Sequence, residues 1–372
     1  MDNKIRIAMI MGKWVGGGVE SVVMNYYKNI DREKIQFDFI FDDESRNIPT
    51  DKILSMGGKI FYVPSYNKVL NYHKQLKKIL QNNCYRIVHS HINTLSVFSL
   101  YAAKCAGVPI RIAHSHSTSN SKEISKNLLK QFLRPFSKLF ATDYMTCSEL
   151  AGRWLFGNRT YDKGNVYLLN NAINSKKFKF NPVLRNEIRN ELNLNDDKLV
   201  FGHIGRFVKQ KNHDFLIDIF YEICQLNENS LLLLVGEGPL KEKVESKVKA
   251  LGLENKVLFL GQRSDVFRLY QAFDIFLLPS LYEGLPVVGV ESQASGLQCF
   301  FSDSMTKETK ILDSTKFFSL DLSPLEWANN IMKSFSNFTR KNTESEVRNQ
   351  GFEISIEAEK LEMKYLELWK KL

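Results

Sequence analysis

Short apolar runs alternate with amphipathic stretches along the whole chain. Ten runs rich in Val, Ile, Leu and Phe are apolar on both faces, which is typical of strands buried in a parallel sheet. They cover residues 5–11, 37–41, 60–63, 87–90, 110–113, 199–204, 231–235, 257–260, 275–278 and 299–302. Between the first two, residues 19–30 carry apolar side chains at the i, i+3, i+4, i+7 spacing of a helix. Repeated strand–helix units predict an α/β protein built from doubly wound domains.

The strand–helix units form two series. The polar stretch at residues 170–177 precedes the second series, so we place a domain boundary there. This predicts a Rossmann-like N-terminal domain at residues 1–175 and a Rossmann-like C-terminal domain at residues 176–355. Residues 356–372 form a charged amphipathic helix that we expect to pack back on the first domain. Open parallel sheets bind ligands beyond the carboxyl ends of their strands, so two such domains facing each other across a deep cleft would hold a ligand between them.

Composition agrees with a globular protein. Of 372 residues, 44% are hydrophobic and 25% are charged. No apolar run approaches the roughly 20 residues that cross a bilayer, and the first residues resemble a buried strand more than a signal peptide. The five cysteines are scattered, which suits reduced thiols. We therefore expect a cytoplasmic protein.

Charge is unevenly distributed. Residues 1–180 contain 27 Lys and Arg against 13 Asp and Glu, whereas residues 181–372 contain 24 against 28. A one-sided basic domain indicates an anionic partner such as a nucleic acid, a phosphate or an anionic membrane. Residues 121–140 interleave apolar side chains with cations and include Pro135, which would interrupt a helix. The segment suits either an anionic membrane surface or a solvated basic face. Its cations are Lys122, Lys126, Lys130, Arg134 and Lys138.

Two glycine-containing turns follow predicted strands. The triple glycine at residues 16–18 opens the helix at residues 19–30, where free amides favour a phosphate, although a plain turn is an equal alternative. The Gly-Glu-Gly turn at residues 236–238 follows the strand at 231–235. It either presents backbone groups to a nucleotide or serves only as a structural turn before a helix.

Two cations follow the first strand of the second domain. Arg206 and Lys211 come after Gly205, at a strand end where a diphosphate would bind. The planar guanidinium and the compact ammonium both suit phosphate oxygens. A solvated loop is the alternative interpretation. It is weakened because the strand ends abruptly in a glycine and a cation.

The sharpest motif is the segment at residues 283–291. Seven residues separate Glu283 from Glu291, about two helical turns, so the two carboxylates can lie on one side of the element. We expect a helix to begin at Gly284, with Pro286 in its first turn, so that nearby amides face an anion. Carboxylates accept hydrogen bonds from sugar and ribose hydroxyls. The alternative makes Glu283 a helix cap and Glu291 a surface residue, but small apolar residues after Glu291 indicate a buried stretch.

Two histidine pairs end predicted strands of the first domain, His89 with His91 and His114 with His116. Four histidines suggest zinc, yet no carboxylate or cysteine lies at ligand spacing. We also expect alternate residues at a strand end to point to opposite sides. These considerations favour no metal site. One histidine at the tip of the fifth strand is expected to face the ligand, and the others to be hydrogen-bonded structural residues.

Taken in order, these motifs resemble those of the GT4 family, the glycosyl transferases group 1, especially the EpsF-like enzymes of bacterial capsular and exopolysaccharide clusters. The resemblance runs nearly end to end and includes Gly-Gly-Gly-Val-Glu at residues 16–20, Ala-His-Ser-His at 113–116, Gly-Arg-Phe at 205–207 and the E-x7-E segment. It implies a GT-B fold of two facing Rossmann-like domains. It also implies a retaining, metal-independent hexosyltransferase that moves a sugar from a nucleotide-sugar, preferably a UDP-sugar, to a lipid-linked saccharide.

The resemblance implies a function for each matching residue. Arg206 and Lys211 would bind the donor diphosphate and stabilise the departing nucleotide. Glu283 would hold the transferred sugar, Glu291 the ribose, and His116, with His114 as the alternative, would lie at the reaction centre. No D-x-D motif is present, so neither a metal nor another cofactor is expected. The further donor-binding positions are Gly17, Gly18, Gly205, Gly236, Glu237, Gly238, Arg263, Gly284, Leu285 and Pro286.

Other functions explain less of the sequence. A GT-B-like sugar-nucleotide epimerase would need a carboxylate pair for hydrolytic chemistry, and the charged set around Arg206 and Lys211 fits transfer better. A nucleic-acid-binding protein could use the basic domain, but no helix-turn-helix, OB or RRM pattern is present. A non-enzymatic basic scaffold of a polysaccharide-synthesis complex is a third alternative, although every donor-site residue is present. The expected partners are a nucleotide-sugar donor, a lipid-linked saccharide acceptor and an anionic membrane touched peripherally by the basic domain, and no nucleic acid.

Overall fold

The computed structural model describes residues 4–117, 129, 131–195, 197–336 and 338–372. The chain divides into two compact units. Unit 1 comprises Met1–Ala172 together with Ile354–Leu372, and unit 2 comprises Ile173–Glu353. The division after Ala172 lies three residues before the boundary that the sequence indicated.

Each unit contains one parallel sheet with helices. The strands are β1 (Ile5–Gly12), β2 (Ile35–Asp42), β3 (Ile60–Val63), β4 (Ile87–Ser90), β5 (Ile110–Ser115), β6 (Asp143–Thr146), β7 (Val166–Leu168), β8 (Leu199–Ile204), β9 (Ser230–Val235), β10 (Val257–Phe259), β11 (Ile275–Leu278), β12 (Gln298–Ser302) and β13 (Lys316–Phe318). The α-helices within the described residues are α1 (Gly18–Asn29), α2 (Thr50–Ser55), α3 (Val69–Asn82), α4 (Ser96–Cys105), α5 (Glu149–Phe156), α6 (Asn158–Asp162), α7 (Ser175–Phe178), α8 (Pro182–Glu191), α9 (His213–Leu226), α10 (Lys241–Ala250), α11 (Val266–Ala272), α12 (Val287–Ala294), α13 (Pro324–Phe335), α14 (Glu344–Asn349) and α15 (Ile354–Trp369).

The sheet of unit 1 has the strand order β3-β2-β1-β4-β5-β6-β7, with every neighbouring pair parallel. The order reverses between β1 and β4, which are hydrogen-bonded neighbours although two strands separate them in sequence. The helix predicted at residues 356–372 is observed as α15 and packs on α1. Its Glu362 accepts from Lys34 at 2.8 Å within this unit. The topology is that of a doubly wound Rossmann-like domain.

The sheet of unit 2 has the order β10-β9-β8-β11-β12-β13, also with every pair parallel. Here the order reverses between β8 and β11. Phe201, Ile217, Phe220, Leu232 and Trp327 are fully buried in the core that the helices form on this sheet. Both sheets therefore have the predicted α/β architecture, and each has a switch point where ligands bind in open parallel sheets.

All ten predicted strands are observed, and three further ones were missed. β6 and β13 begin with the charged residues Asp143 and Lys316, and β7 is apolar but has only three residues. β7 and β13 lie at the edges of their sheets, where one side of a strand has no neighbour. Hydrophobic patterning finds central strands best because both of their faces are buried.

The structure bears on the expected lack of a membrane-spanning helix, on the basic segment at residues 121–140 and on the cysteines. Within the described residues, no helix combines the length and apolarity needed to cross a bilayer. In the basic segment at residues 121–140, Lys122, Lys126 and Lys130 lie outside the described residues. Pro135 lies in a 3₁₀ helix, Arg134–Phe136, which agrees with its expected interruption of a longer helix. All five cysteines are free thiols.

Candidate donor-binding site

The two charged motifs of unit 2 meet through Lys211 and Glu283. Lys211 ends the 3₁₀ helix Lys209–Lys211 after β8, and its Nζ lies 2.7 Å from Oε1 of Glu283, which follows β11. Gln210 donates from Nε2 to the other carboxylate oxygen of Glu283 at 3.0 Å. The Glu283 side chain is 8% exposed, so both its oxygens are held in a largely buried position. The alternative that made Glu283 a helix cap is wrong, because the cap of α12 is Pro286.

Backbone contacts fix the segments that carry this pair. The amide of Leu281 donates to the carbonyl of Gln210 at 2.8 Å, and Asn212 Nδ2 donates to the carbonyl of Pro279 at 3.1 Å. Asn212 adopts the left-handed conformation, with φ of 56°, directly before α9. Gln210 and the function of Asn212 were not identified from the sequence. The tolerance of asparagine for left-handed backbone could have identified Asn212 as a turn residue, whereas nothing local distinguishes Gln210.

The glycines after β8 and β9 allow two loops to approach closely. A Cβ on Gly236 would lie 2.2 Å from the carbonyl oxygen of Gly205, and one on Gly238 would lie 2.6 Å from that of Phe207. Gly205 would place its Cβ 3.1 Å from the Lys211 side chain. Phe207 donates from its amide to the carbonyl of Glu237 at 3.1 Å. The turn at residues 236–238 thus supports the loop that carries Arg206 and Lys211, and backbone contact with a nucleotide stays a prediction.

The other charged candidates of unit 2 differ in whether an opposite charge pairs with them. Arg206 is exposed and makes no ion pair with the residues that the structure describes. Glu237 pairs with Lys241 at 2.8 Å. Arg263 donates from two nitrogens to both carboxylate oxygens of Asp265, each at 2.7 Å. Among these three residues, Arg206 has the charge most available to an anionic ligand.

The helix predicted to begin at Gly284 begins three residues later, at Val287. Pro286 caps it with an extended backbone, ψ of 119°, and accepts from the amide of Gly289 at 3.0 Å. The residue before a proline is disfavoured in helical conformation, which explains why Leu285 stays outside the helix. Gly284 and Leu285 are buried in the bend that leads into α12. The two glutamates therefore do not share one helix: Glu283 precedes α12 and Glu291 lies on it.

Glu291 is buried, as the sequence indicated, and the surface alternative is wrong. Its Oε2 accepts from the hydroxyl of Tyr270 at 3.0 Å. Burial raises the pKa of Glu291 to about 7, while the hydrogen bond from Tyr270 and the charge of Lys177 act to lower it. Tyr270, which is fully buried, was not identified from the sequence. The carboxyl group is thus poised to change protonation near neutral pH.

In unit 1 the glycine-rich turn is organised by Glu20. The Glu20 carboxylate accepts from the amide of Gly17 at 3.1 Å and from that of Val15 at 3.0 Å. Gly17 caps α1 and Gly18 is its first residue. Glu20 is buried. Its carboxylate therefore occupies backbone amides that the sequence analysis expected to bind a phosphate at this helix start. Contact of Gly17 and Gly18 with phosphate stays a prediction.

Four of the histidines of unit 1, His89, His91, His114 and His116, form one cluster. His89 Nδ1 lies 2.6 Å from the hydroxyl of Tyr365, and His89 Nε2 lies 3.0 Å from Nδ1 of His114. His91 Nδ1 lies 2.9 Å from Nε2 of His116. The expectation that alternate residues point to opposite sides is wrong, because side chains at i and i+2 share a face of a strand. Desolvation lowers the pKa of all four imidazoles below the ordinary value.

The two Rossmann-like sheets, each with a switch point in its strand order, have the topology of the GT-B fold. The crystal structure of Anabaena HepE in complex with UDP and glucose has the same fold, with a TM-score of 0.82 at 17% identity. That likeness covers 99% of this chain and 100% of HepE. The predicted fold class is confirmed.

Two family models match the chain, Glycosyltransferase Family 4 over residues 16–177 and Glycosyl transferases group 1 over residues 185–337. EpsF of Bacillus subtilis (strain 168), named as a glycosyltransferase, is 37% identical over 312 residues, which cover 82% of this chain and 80% of EpsF. The chain belongs to the glycosyl transferases group 1, as its motifs predicted. The UDP-Gal:alpha-D-GlcNAc-diphosphoundecaprenol alpha-1,3-galactosyltransferase of Escherichia coli is 24% identical over 98% of both chains.

Proposed function

We propose that this glycosyltransferase moves a sugar, with retention of configuration, from a UDP-sugar to a lipid-linked saccharide in capsular or exopolysaccharide biosynthesis. The observation that carries the proposal is the Lys211–Glu283 pair beside the β8–β11 switch point. A fixed carboxylate next to cations suits a ligand that offers both hydroxyls and a diphosphate. The name of the E. coli relative, with a UDP-sugar donor and a diphosphoundecaprenol acceptor, supports this choice of substrates.

The two cations take different parts in this proposal. Arg206 is exposed and binds the diphosphate directly, whereas Lys211 orients Glu283 and shares its charge with the diphosphate. In the transfer step the bond between the sugar C1 and the phosphate oxygen breaks, and its electron pair leaves with the nucleotide. The acceptor hydroxyl then bonds to C1 from the same face and gives its proton to the departing phosphate oxygen. Fixed cations stabilise the charge that develops there, so the step requires no metal ion.

The remaining functions follow the family resemblance. Glu283, with the backbone of Gly284 and Leu285, holds the transferred sugar, and Glu291 accepts from the ribose hydroxyls. His116 acts at the reaction centre beside the sugar and the acceptor. Its amide donates to Asn93 Oδ1 at 2.7 Å and its ring stacks on His114, so its position is well defined within unit 1.

A membrane surface is the proposed location of the acceptor, and the end of the basic segment supports contact with it. Phe132 and Leu139 are 67% and 60% exposed, and Phe136 between them is 41% exposed, so three large apolar side chains are exposed within one short stretch. Arg134 and Lys138 lie in the same stretch and would attract anionic headgroups. We propose that this surface touches the membrane peripherally.

Nucleotide-sugar binding and transfer test the proposed function together. Purified full-length protein is screened by thermal shift against UDP-, GDP- and dTDP-sugars, since a donor at 100 times its Kd stabilises the fold by about 2.7 kcal/mol. The best donor is then incubated with a lipid-pyrophosphate-linked saccharide, and the product and its anomeric configuration are analysed. We expect a UDP-sugar to bind and a retained glycosidic bond to form.

Arg206→Ala tests whether Arg206 binds the diphosphate of the donor. Donor affinity should fall at least tenfold in this variant and stay unchanged in Lys243→Ala, which removes an exposed cation on α10. Epimerised or hydrolysed donor without any transfer product would identify an epimerase instead. Binding of no nucleotide sugar at all would contradict the proposed donor site.

A further inference from the structure

The histidine cluster of unit 1 has features that the transfer reaction does not use. The ring centroids of His89 and His91 lie 4.1 Å apart, and those of His114 and His116 lie 3.8 Å apart. All four side chains are buried at the ends of β4 and β5. We propose that His89, His91 and His114 form a binding site for a transition-metal cation such as Zn²⁺.

Unpartnered nitrogens in the cluster point to a ligand. His91 Nε2, His114 Nε2 and His116 Nδ1 are buried and have no hydrogen-bond partner within the described residues. A buried polar atom without a partner costs free energy, and such atoms are uncommon in folded proteins. Three such atoms lie in this cluster, and a bound cation would satisfy those of His91 and His114.

The ring nitrogens are also close enough to share one ion. One ring nitrogen from each of His89, His91 and His114 lies within 4.8 Å of those of the other two. Because Zn–N distances are about 2.0 to 2.1 Å, the three rings would move closer together when they bind one ion. The described part of unit 1 therefore brings three imidazoles together from two neighbouring strands, His89 and His91 from the end of β4 and His114 from β5.

In two of the three rings, His89 and His91, the nitrogen that would face away from the ion is held by a partner. Metal-bound histidines usually have their other ring nitrogen held in this way, which fixes the tautomer and the ring orientation. His89 Nδ1 is held by the Tyr365 hydroxyl at 2.6 Å, and His89 Nε2, which contacts His114 Nδ1 at 3.0 Å, would exchange that contact for the ion. His91 Nδ1 lies 2.9 Å from His116 Nε2, which leaves His91 Nε2 for the ion. Tyr365 and His116 are thus the outer partners of the site.

The chemistry of the donor set selects the kind of ion. The donors available at this site are buried imidazole nitrogens, and no carboxylate of the described residues belongs to the cluster. Neutral imidazoles bind Zn²⁺, Co²⁺, Ni²⁺ or Cu²⁺, whereas Mg²⁺ and Ca²⁺ prefer oxygen ligands. A phosphate would instead favour charged imidazolium rings. The ion has no part in the transfer step proposed above, so the two proposals can fail separately.

Direct metal binding tests the site. Full-length protein is stripped with a chelator and titrated with Zn²⁺ in the presence of a competing chelator, and Co²⁺ binding is followed by visible absorption. We expect one Zn²⁺ per chain, with binding at least 100-fold weaker in His89→Gln and in His91→Gln. Tyr365→Phe keeps the ligands but removes an outer partner, and should weaken binding by about 10- to 100-fold. His73→Gln on α3 is the matched control and should bind as the unaltered protein does.

Two results would overturn the proposal. The first is the absence of stoichiometric Zn²⁺ binding to the unaltered protein. The second is equal affinity in His89→Gln, His91→Gln and His73→Gln. If a variant unfolds, zinc X-ray absorption of the unaltered protein decides the question: scattering from three imidazoles supports the site, and a lack of imidazole scattering rules it out.

Discussion

Lys211 and Glu283 are separated by 72 residues in sequence, yet their charged groups lie 2.7 Å apart in unit 2. Both side chains are largely buried, with 14% and 8% of their surface exposed. Removing one partner from such a pair leaves the other charge without compensation in a poorly hydrated position. Lys211 therefore fixes the orientation of the Glu283 carboxylate, and Glu283 in turn determines how much of the Lys211 charge is available to a diphosphate.

We expect Lys211→Ala and Glu283→Ala each to lower kcat/KM for transfer by at least about 100-fold while the protein stays folded. Because each residue positions the other, the double variant should lose much less than the product of the two single effects. Steady-state kinetics and circular dichroism measure both quantities, with Lys243→Ala as the surface-lysine control. Near-normal turnover in both single variants would refute the assigned site.

The pKa of Glu291 predicts that UDP binds more tightly as the pH rises through neutrality. Burial raises this pKa to about 7, and the ionised carboxylate is the better acceptor for ribose hydroxyls. Calorimetric titration with UDP from about pH 6 to about pH 8 should show the rise, and Glu291→Gln should remove it. Tyr270→Phe removes a hydrogen bond that lowers the pKa, so its midpoint should shift to higher pH. Exposed Glu254→Gln serves as the control, and an unshifted midpoint in Tyr270→Phe would contradict the assignment.

The contribution of Glu291 to the free energy of unfolding should fall as the pH rises, whereas UDP binding should become tighter. A folded-state pKa of about 7 exceeds the ordinary value of 4.5, so the folded protein binds more protons than the unfolded chain between these two values. The contribution of Glu291 is fully present below pH 4.5 and is lost as the pH rises to about 7. Urea unfolding at several pH values, compared between the unaltered protein and Glu291→Gln, should show this difference. A parallel pH dependence in the two proteins would exclude it.

Gly236→Ala is expected to destabilise unit 2 and to displace the loop that carries Arg206 and Lys211. Its new Cβ would lie 2.2 Å from the carbonyl oxygen of Gly205, so one of the two loops must move. Gly252→Ala is the matched control, because Gly252 also has a positive φ but a Cβ there would meet no described atom within 4 Å. The control should lose about 1 to 2 kcal/mol from backbone strain, and Gly236→Ala clearly more. Equal losses of unfolding free energy would show that the close approach is unimportant.

The exposed apolar surface near residue 135 predicts membrane binding. Phe132→Ser combined with Leu139→Ser should reduce cosedimentation with anionic vesicles by about tenfold or more, because each apolar side chain contributes roughly 1.5 to 3 kcal/mol when buried. Arg134→Glu with Lys138→Glu should weaken binding more at low salt than at high salt. Leu325→Ser, which alters an exposed leucine of unit 2, is the control. Unchanged sedimentation of both double variants would remove the membrane proposal.

Much of this protein was predictable from local pattern. Buried central strands appear as continuous apolar runs, and all ten of those predicted are present. The motifs that carry Arg206, Lys211, Glu283 and Glu291 were found because strand ends and turns have recognisable residue types. The burial of Glu291 also followed from the small apolar residues beside it.

Contacts between distant segments could not be predicted in this way. Gln210 and Tyr270 hold the two glutamates, but their importance arises only because β8 and β11 are neighbours and α11 packs near α12. Glu20 occupies the amide of Gly17, which residue spacing alone did not indicate.

The class of fold and the candidate residues could be predicted from the chain's residue pattern, because periodicity and turn chemistry are local properties, and the family followed from the resemblance of its motifs. Which of those residues meet depends on the folded arrangement. The parallel register of β4 and β5 gathers four histidines on one face, and the pairing of β8 with β11 brings Lys211 to Glu283. These partnerships depend on strand order and close packing, and they determine which charges are compensated and which remain available to a ligand.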